Sequence, residues 1–328
     1  MDFKLTEKQF AELKSSNEEW VGISQVALKN LNLAPEDLAE IEKDVIDLCR
    51  GLISIPSVNY GEGNGDEVAV ADYVSERLSE VGIENEIIAS GEKRRSVAAK
   101  IRGKNPDLPG LVVHGHIDVV PANANDWSVD PFSATIKDGY IWGRGAVDMK
   151  NVDAMMLAVF RYWARKKIKP NRNISLVFFG DEEAGSEFGS HWLVKNRPDI
   201  FAGCTQAISE VGGFSLTLEN GKRLYLVEGA QKGIVWMKVT ATGTAGHGSF
   251  INRDNAITRL ASVVERIGNY QWPQLQTKTG KIFWSKLAAT LNLPYDEKDV
   301  KPLLPYVGSA GKMLGATIAN SANPTMLE

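Results

Sequence analysis

The sequence predicts an α/β protein in which a mostly parallel, mixed sheet is flanked by helices. Three observations carry this expectation. Strand-length apolar runs alternate with longer stretches of helical periodicity between residues 45 and 209, the order from which layered α/β domains are built. Residues 111–113 are a continuous apolar run and 173–179 a largely apolar one, as central strands buried on both faces require. Several of these runs end abruptly in histidine or acidic residues, which would gather at one edge of one sheet.

Taken in order, residues 5–48 read as helix with breaks near Asn32 and Pro35. Ala34-Pro35-Glu36-Asp37 has the form of a helix start, with proline early and acids in the first turn. Helical spacing continues over 45–53 until Ile55-Pro56 stops it. A glycine-rich loop, 61–65, precedes Asp66, an N-cap candidate for a helix over 67–81. Residues 84–89 and 96–102 alternate as strands. A helix over 148–167, a strand over 173–179, a helix over 187–196 and a strand over 205–209 follow. The texture changes near 229–233. Residues 234–242 then alternate like a strand with one covered face, and 255–267 read as an amphipathic helix. The pattern divides the chain into a first domain, 1–230, whose first 44 residues are a helical extension, and a partial second domain, 231–328. Beyond Asn269 the pattern is weak.

Composition narrows the function classes. The chain has 328 residues, 43% hydrophobic and 24% charged, with a net charge of −4 and both signs well mixed. No basic stripe fits a nucleic acid, and no basic amphipathic helix or spanning apolar run fits a membrane. The N-terminus has no apolar core of a secretory signal. The two cysteines, Cys49 and Cys204, lack metal or disulfide spacing, so a cytoplasmic location is expected.

Four segments carry chemistry. In Val113-His114-Gly115-His116-Ile117-Asp118, the period of a strand puts His114, His116 and Asp118 on one side. A histidine with a carboxylate to accept its second N–H suits a metal ligand; one histidine alone reads as a core residue, and two histidines with an aspartate on one face balance the two readings. Gly143-Arg144-Gly145-Ala146-Val147-Asp148 delivers an acid to a helix entry, where an N-cap role would suffice by itself. Phe179-Gly180-Asp181-Glu182-Glu183 runs a hydrophobic strand into three acids, whose burial together calls for a cation. Ile208-Ser209-Glu210 ends a further short strand in an acid. The coincidence of all four outweighs any one.

These residues, with Asp126-Trp127, Asp130-Pro131-Phe132, the run from Asp138 to Ala146, Asp148-Met149-Lys150 and Asp181-Glu182-Glu183, resemble the zinc metallopeptidase and amidohydrolase family of acetylornithine deacetylase, succinyl-diaminopimelate desuccinylase, aminoacylase, carnosinase and carboxypeptidase G. The resemblance runs from about Val45 to Asn255 and more faintly to Asn323-Pro324-Thr325. It implies a phosphorylase/hydrolase-like catalytic domain with an inserted α+β lid that mediates homodimerisation. It further implies two Zn2+ ions, replaceable by Co2+ or Mn2+, with His116 on one, Asp148 bridging, Glu183 on the second and Glu210 completing the first. Glu182 is then the general base, Asp118 orients His116, the bond after Asp148 is cis, and His247 of Gly246-His247-Gly248 serves a partner's site. The implied reaction is hydrolysis of an amide or peptide bond in a dipeptide or N-acyl amino acid.

The pattern is incomplete. Of the four histidines, His114, His116, His191 and His247, none fits the family's last metal ligand, and His191 reads as structural. The chain is therefore expected to be a fragment of a longer enzyme with a further histidine downstream of residue 328. The alternative is a degenerate member that binds metal or dimerises without hydrolysing substrate.

Overall fold

The computed structural model describes residues 33–210, 215–218, 220–226 and 229–327. The expected helix over residues 5–32 and Val211-Gly212-Gly213 lie outside the described residues. The chain forms two compact units, 1–210 and 211–328.

The first unit is built on a five-stranded mixed sheet of β1 (Asn85–Ala89), β2 (Arg95–Ile101), β3 (Gly110–His116), β6 (Ile174–Phe179) and β7 (Cys204–Ile208), ordered β1-β2-β6-β3-β7. The β3–β6 and β3–β7 pairs are parallel, whereas β1–β2 and β2–β6 are antiparallel. A separate hairpin pairs β4 (Thr135–Lys137) with β5 (Tyr140–Trp142). Its turn, Asp138-Gly139, has both residues at positive φ, 54° and 80°, as tight hairpin turns demand.

Alternation along the strands feeds two cores. On one face, Val97, Ala99, Ile174, Leu176 and Phe178 pack with Leu52 and Ile53 of α1 (Pro35–Ile53), Val70 and Val74 of α2 (Val68–Ser79), and Leu157 and Ala158 of α3 (Lys150–Arg165). On the other, Val112, Val177 and Phe179 pack with Leu193 of α4 (Ser190–Asn196) and Ile200. Helix α1 starts as its sequence implies, with Ala34 at the N-cap, Pro35 in the first turn and Glu36 and Asp37 behind it. Asp66, expected as an N-cap, lies one residue earlier: Glu67 occupies the N-cap of α2 without a side-chain bond, and Asp66 accepts from Val68 N at 3.2 Å in the turn that precedes it.

The second unit has its own core of Leu218, Trp284, Leu287, Val300, Leu303, Val307 and Ile318. It contains the hairpin β8 (Ser215–Thr217) and β9 (Arg223–Tyr225), then α5 (Ala256–Gly268), α6 (Lys278–Leu291) and α7 (Gly311–Gly315). Residues 234–242, expected as a strand, form no regular element. A strand exists only through a neighbouring strand that takes its backbone hydrogen bonds, and among the described residues no strand pairs with this segment. Among the described residues, no helix is long and apolar enough to cross a membrane.

Candidate metal centre

Parallel pairing sets the site. Register places His116 beside Phe179, so β3 and β6 end together, and β7 runs parallel on the far side of β3. Their carboxyl ends deliver His116, the acidic turn 181–183 and Glu210 to one edge. Asp148 arrives on the turn before α3, and the Asp148–Met149 peptide bond is cis.

His116 is 2% exposed, and its Nε2 faces acids: Asp148 Oδ1 at 3.0 Å, Glu210 Oε2 at 3.6 Å and Glu182 Oε2 at 3.8 Å. One ligand atom from each of His116, Asp148 and Glu210 falls within 4.8 Å of the others. On its other side, Nδ1 lies 3.1 Å from the Asp118 carbonyl oxygen and 3.5 Å from Asp118 Oδ1. Asp118 is fully buried and accepts from the backbone N–H groups of Glu182 at 3.0 Å and Glu183 at 3.1 Å. Glu183 and Asp148 line the same cleft of about 230 Å³, with Val120, Trp127 and Arg144.

Acidic groups surround Nε2 of His116 and shape its electrostatics. Burial alone would lower the affinity of the His116 imidazole for a proton, but hydrogen bonds to Asp118 and Glu210 outweigh it and the pKa is pushed up to about 12. The hydrogen bond to His116 in turn lowers the pKa of Glu210. Burial raises that of Glu182, and burial with the Asp148 charge raises Glu183 to about 7. The acidic neighbours thus favour the protonated imidazole where no cation is bound. An imidazole nitrogen and two carboxylates are hard or borderline donors that fit a divalent cation, and three protein ligands suit a catalytic site. For a second cation, the described residues offer Asp148 and Glu183.

The remaining histidines have other surroundings. His114 is packed edge-on against Phe179, and burial lowers its pKa. His191 is exposed on α4, 3.9 Å from Glu187. His247 belongs to the second unit, where Nδ1 lies 2.7 Å from Ser249 Oγ.

The motif residues around the cleft knit it together. Arg144 N donates to Pro131 O at 2.7 Å, and Arg144 donates through Nη2 to Pro121 O at 3.1 Å while lying over the Trp127 ring. Gly145 has φ +85°, and a Cβ there would meet Val119 and Lys150 at 2.9 and 3.0 Å.

Sequence reasoning missed the role of Lys150. Its side chain is fully buried, and Nζ donates to the carbonyls of Leu52 at 2.8 Å and Ile55 at 2.9 Å. Burial lowers its pKa to about 8. Lysine 150 thereby straps the Asp148 turn to the end of α1. Lys150→Ala would leave the Ile55 carbonyl unpaired, take one of the donors from the Leu52 carbonyl and open a cavity, so denaturant unfolding should show a loss of about 2–5 kcal/mol. Unchanged stability would contradict the strap.

The comparisons follow this geometry. The model of "Peptidase family M20/M25/M40" matches residues 112–296, more than half of the chain. The chain is 32% identical to aminoacylase-1 of Mus musculus, over 70% of this chain and 54% of that protein. It is also 32% identical to succinyl-diaminopimelate desuccinylase of Zymomonas mobilis, over 70% and 58%, and to an uncharacterized metallohydrolase of Methanococcus maripaludis, over 65% and 52%. The chain thus spans little more than half the length of these relatives. In fold it is similar to the di-peptidase Dug1p of Saccharomyces cerevisiae, with TM-score 0.57 and 17% identity over 82% of this chain and 63% of that one. It is likewise similar to an M20 family metallo-carboxypeptidase of Sulfolobus solfataricus, with TM-score 0.50 and 20% identity over 78% and 61%. The strand-end cluster, the motif loops that frame it and the family match point the same way: the chain belongs to peptidase family M20/M25/M40, a family of metallohydrolases.

Proposed function

We propose that the protein hydrolyses the amide or peptide bond of a small substrate, an N-acyl amino acid or a dipeptide, with zinc as the metal and Glu182 as general base. The observation that carries this reading is the convergence of His116 Nε2, Asp148 and Glu210 with Glu182 only 3.8 Å from the same nitrogen. His116, Asp148 and Glu210 would hold one Zn2+, and Asp148 with Glu183 would hold a second; Co2+ or Mn2+ could take their places. Bound there, the cations supply Lewis acidity to the scissile carbonyl and to the attacking water. Glu182 accepts the proton of that water and returns it to the leaving amine, and its raised pKa suits both transfers. Asp118 holds the imidazole of His116 in one orientation. The N-acyl class is supported by the 32% identity to an aminoacylase and to a desuccinylase.

Residues 231–328 belong, in this reading, to a lid and dimerisation domain, with His247 serving the site of a partner copy of a cytoplasmic homodimer. The exposed apolar run Ile234-Val235-Trp236-Met237, each residue 76–79% exposed, supports a surface that a second copy covers.

The test is amine release from a panel of N-acetyl amino acids and dipeptides, with zinc, cobalt or manganese supplied and then removed by chelator. Metal-dependent turnover is expected. Metal held at one ion per chain with no turnover on any substrate would replace this reading by a metal-binding member that does not hydrolyse. The two protein ligands at the second position are what favour that alternative.

A further inference from the structure

We propose that Asn59 and Arg94 are positioning residues of the metal centre, acting through Asp181 and Asp118 to hold the acidic turn against His116. The inference rests on the reading of this cluster as a divalent-cation site.

The observations form a closed ring of buried polar groups. Asn59 is 4% exposed, and its single Nδ2 donates to Asp118 Oδ2 at 2.8 Å and to Asp181 Oδ1 at 3.0 Å. Its Oδ1 accepts from Gly61 N at 3.1 Å, and its backbone N–H donates to Val119 O at 2.9 Å. The amide therefore has one orientation, because reversing it would set an oxygen against two carboxylates. Asp118 accepts from the N–H groups of Glu182 and Glu183, and Asp181 precedes them in the chain. Asn59 thus joins both ends of the segment that carries the two glutamates. Asp181 sits at φ +63°, a conformation that a non-glycine residue holds only when its surroundings fix it.

Two buried aspartates and a third buried acid, Glu67, need a counter-charge. Arg94 supplies it from a position 3% exposed. Its Nη2 hydrogen-bonds Asp181 Oδ1, and its Nη1 makes ion-pair contact with Glu67 Oε1 at 2.9 Å, although the latter pair is not aligned as a hydrogen bond. Glu67 Oε2 accepts from Arg95 N at 3.2 Å, and Asp181 Oδ2 accepts from Phe188 N at 2.8 Å. The close approach depends on Gly65, where a Cβ would collide with Arg94 Nη1. None of these side chains points at the cleft, so the group acts on the centre only through the orientation of Asp118 and of the 181–183 turn.

The measurement is Co2+ affinity of the 328-residue chain, by competition with a chelating indicator and by the visible spectrum of the bound cobalt. Asn59→Ala is expected to weaken Co2+ binding by about 10–100-fold, the usual effect of losing a group that orients a ligand. In an Asp118→Ala background the same substitution should cost clearly less than it does alone, because the Asp118 route is already cut and only the Asp181 contact remains. Affinity within about twofold of the unsubstituted chain, or additive losses in the double variant, overturns the proposal. Asn59→Ser, which keeps one donor for two acceptors, is read in the same way if Asn59→Ala does not fold. Loss of folding in both assigns Asn59 a structural role and also overturns it. If the unsubstituted chain binds no Co2+, it is the cation-site reading that fails.

Discussion

Glu182→Gln is expected to lower kcat by about 10²–10⁴-fold while leaving metal content unchanged. The amide keeps the shape of the carboxylate and loses its ability to take a proton. Glu182 is close enough to the His116 nitrogen to share its substrate space, at 3.8 Å, yet it is outside the group of three ligand atoms that cluster within 4.8 Å. Its N–H is held by Asp118, so the backbone stays in place when the side chain changes. Turnover numbers and metal analysis on the same preparation check both halves. Full activity in the variant would remove Glu182 as the base. Loss of metal together with activity would make it a ligand instead.

The second large effect concerns stability. The ion-free protein should be more stable near pH 5.5 than at pH 8. Burial raises the pKa of Glu67 to about 7 against the pull of Arg94, and that of Glu183 to about 7 with the Asp148 charge. Burial also raises Asp153 well above the ordinary carboxylate range; it is fully buried and neither of its oxygens has a hydrogen-bond partner. Between about pH 4.5 and 7 the native state keeps protons that the unfolded chain has released, so stability falls as pH rises through this window. Asp118 and Glu210 have lowered pKa values and act with the opposite sign, losing their contribution only as acid protonates them.

A bound cation should reverse the trend. It replaces protons at His116 and Glu183, so it binds more tightly as pH rises. At a free concentration of 100 times Kd it adds about 2.7 kcal/mol. Thermal melts with chelator should lose several degrees from pH 5.5 to pH 8, whereas melts with zinc should not. Asp153→Asn, which cannot ionise, should flatten the chelator curve. A chelated protein that gains stability across this range would show that the buried acids are not carrying protons.

The sheet and the cluster at its edge were legible for a simple reason. Period-two alternation and continuous apolar runs are local, and His116, Asp148, Glu182, Glu183 and Glu210 each follow directly on a strand or a turn. The register that brings them together is not local, but parallel strands in an α/β sheet leave few other arrangements. Short elements were less visible. The β4–β5 hairpin has three-residue strands, and its one signal is Asp138-Gly139. Residues 234–242 alternate as a strand should, yet alternation describes a face and cannot supply a neighbour. The buried polar groups were the hardest to read, because what covers Asn59, Arg94 and Glu67 comes from distant segments. Asp153 also went unread, although it stands on the apolar stripe of α3 with Met156, Leu157 and Phe160, where a carboxylate is out of place.

The strap made by Lys150 has a consequence for how the protein acquires its centre. Asp148 is held in place by a carbonyl pair nearly a hundred residues earlier, at Leu52 and Ile55. Its ligand partners Glu210 and His116 come from two further segments. Formation of the centre is therefore a long-range event, completed only when the end of α1 and the edge strand β7 have both docked. Metal capture would then report the docking of these separate segments.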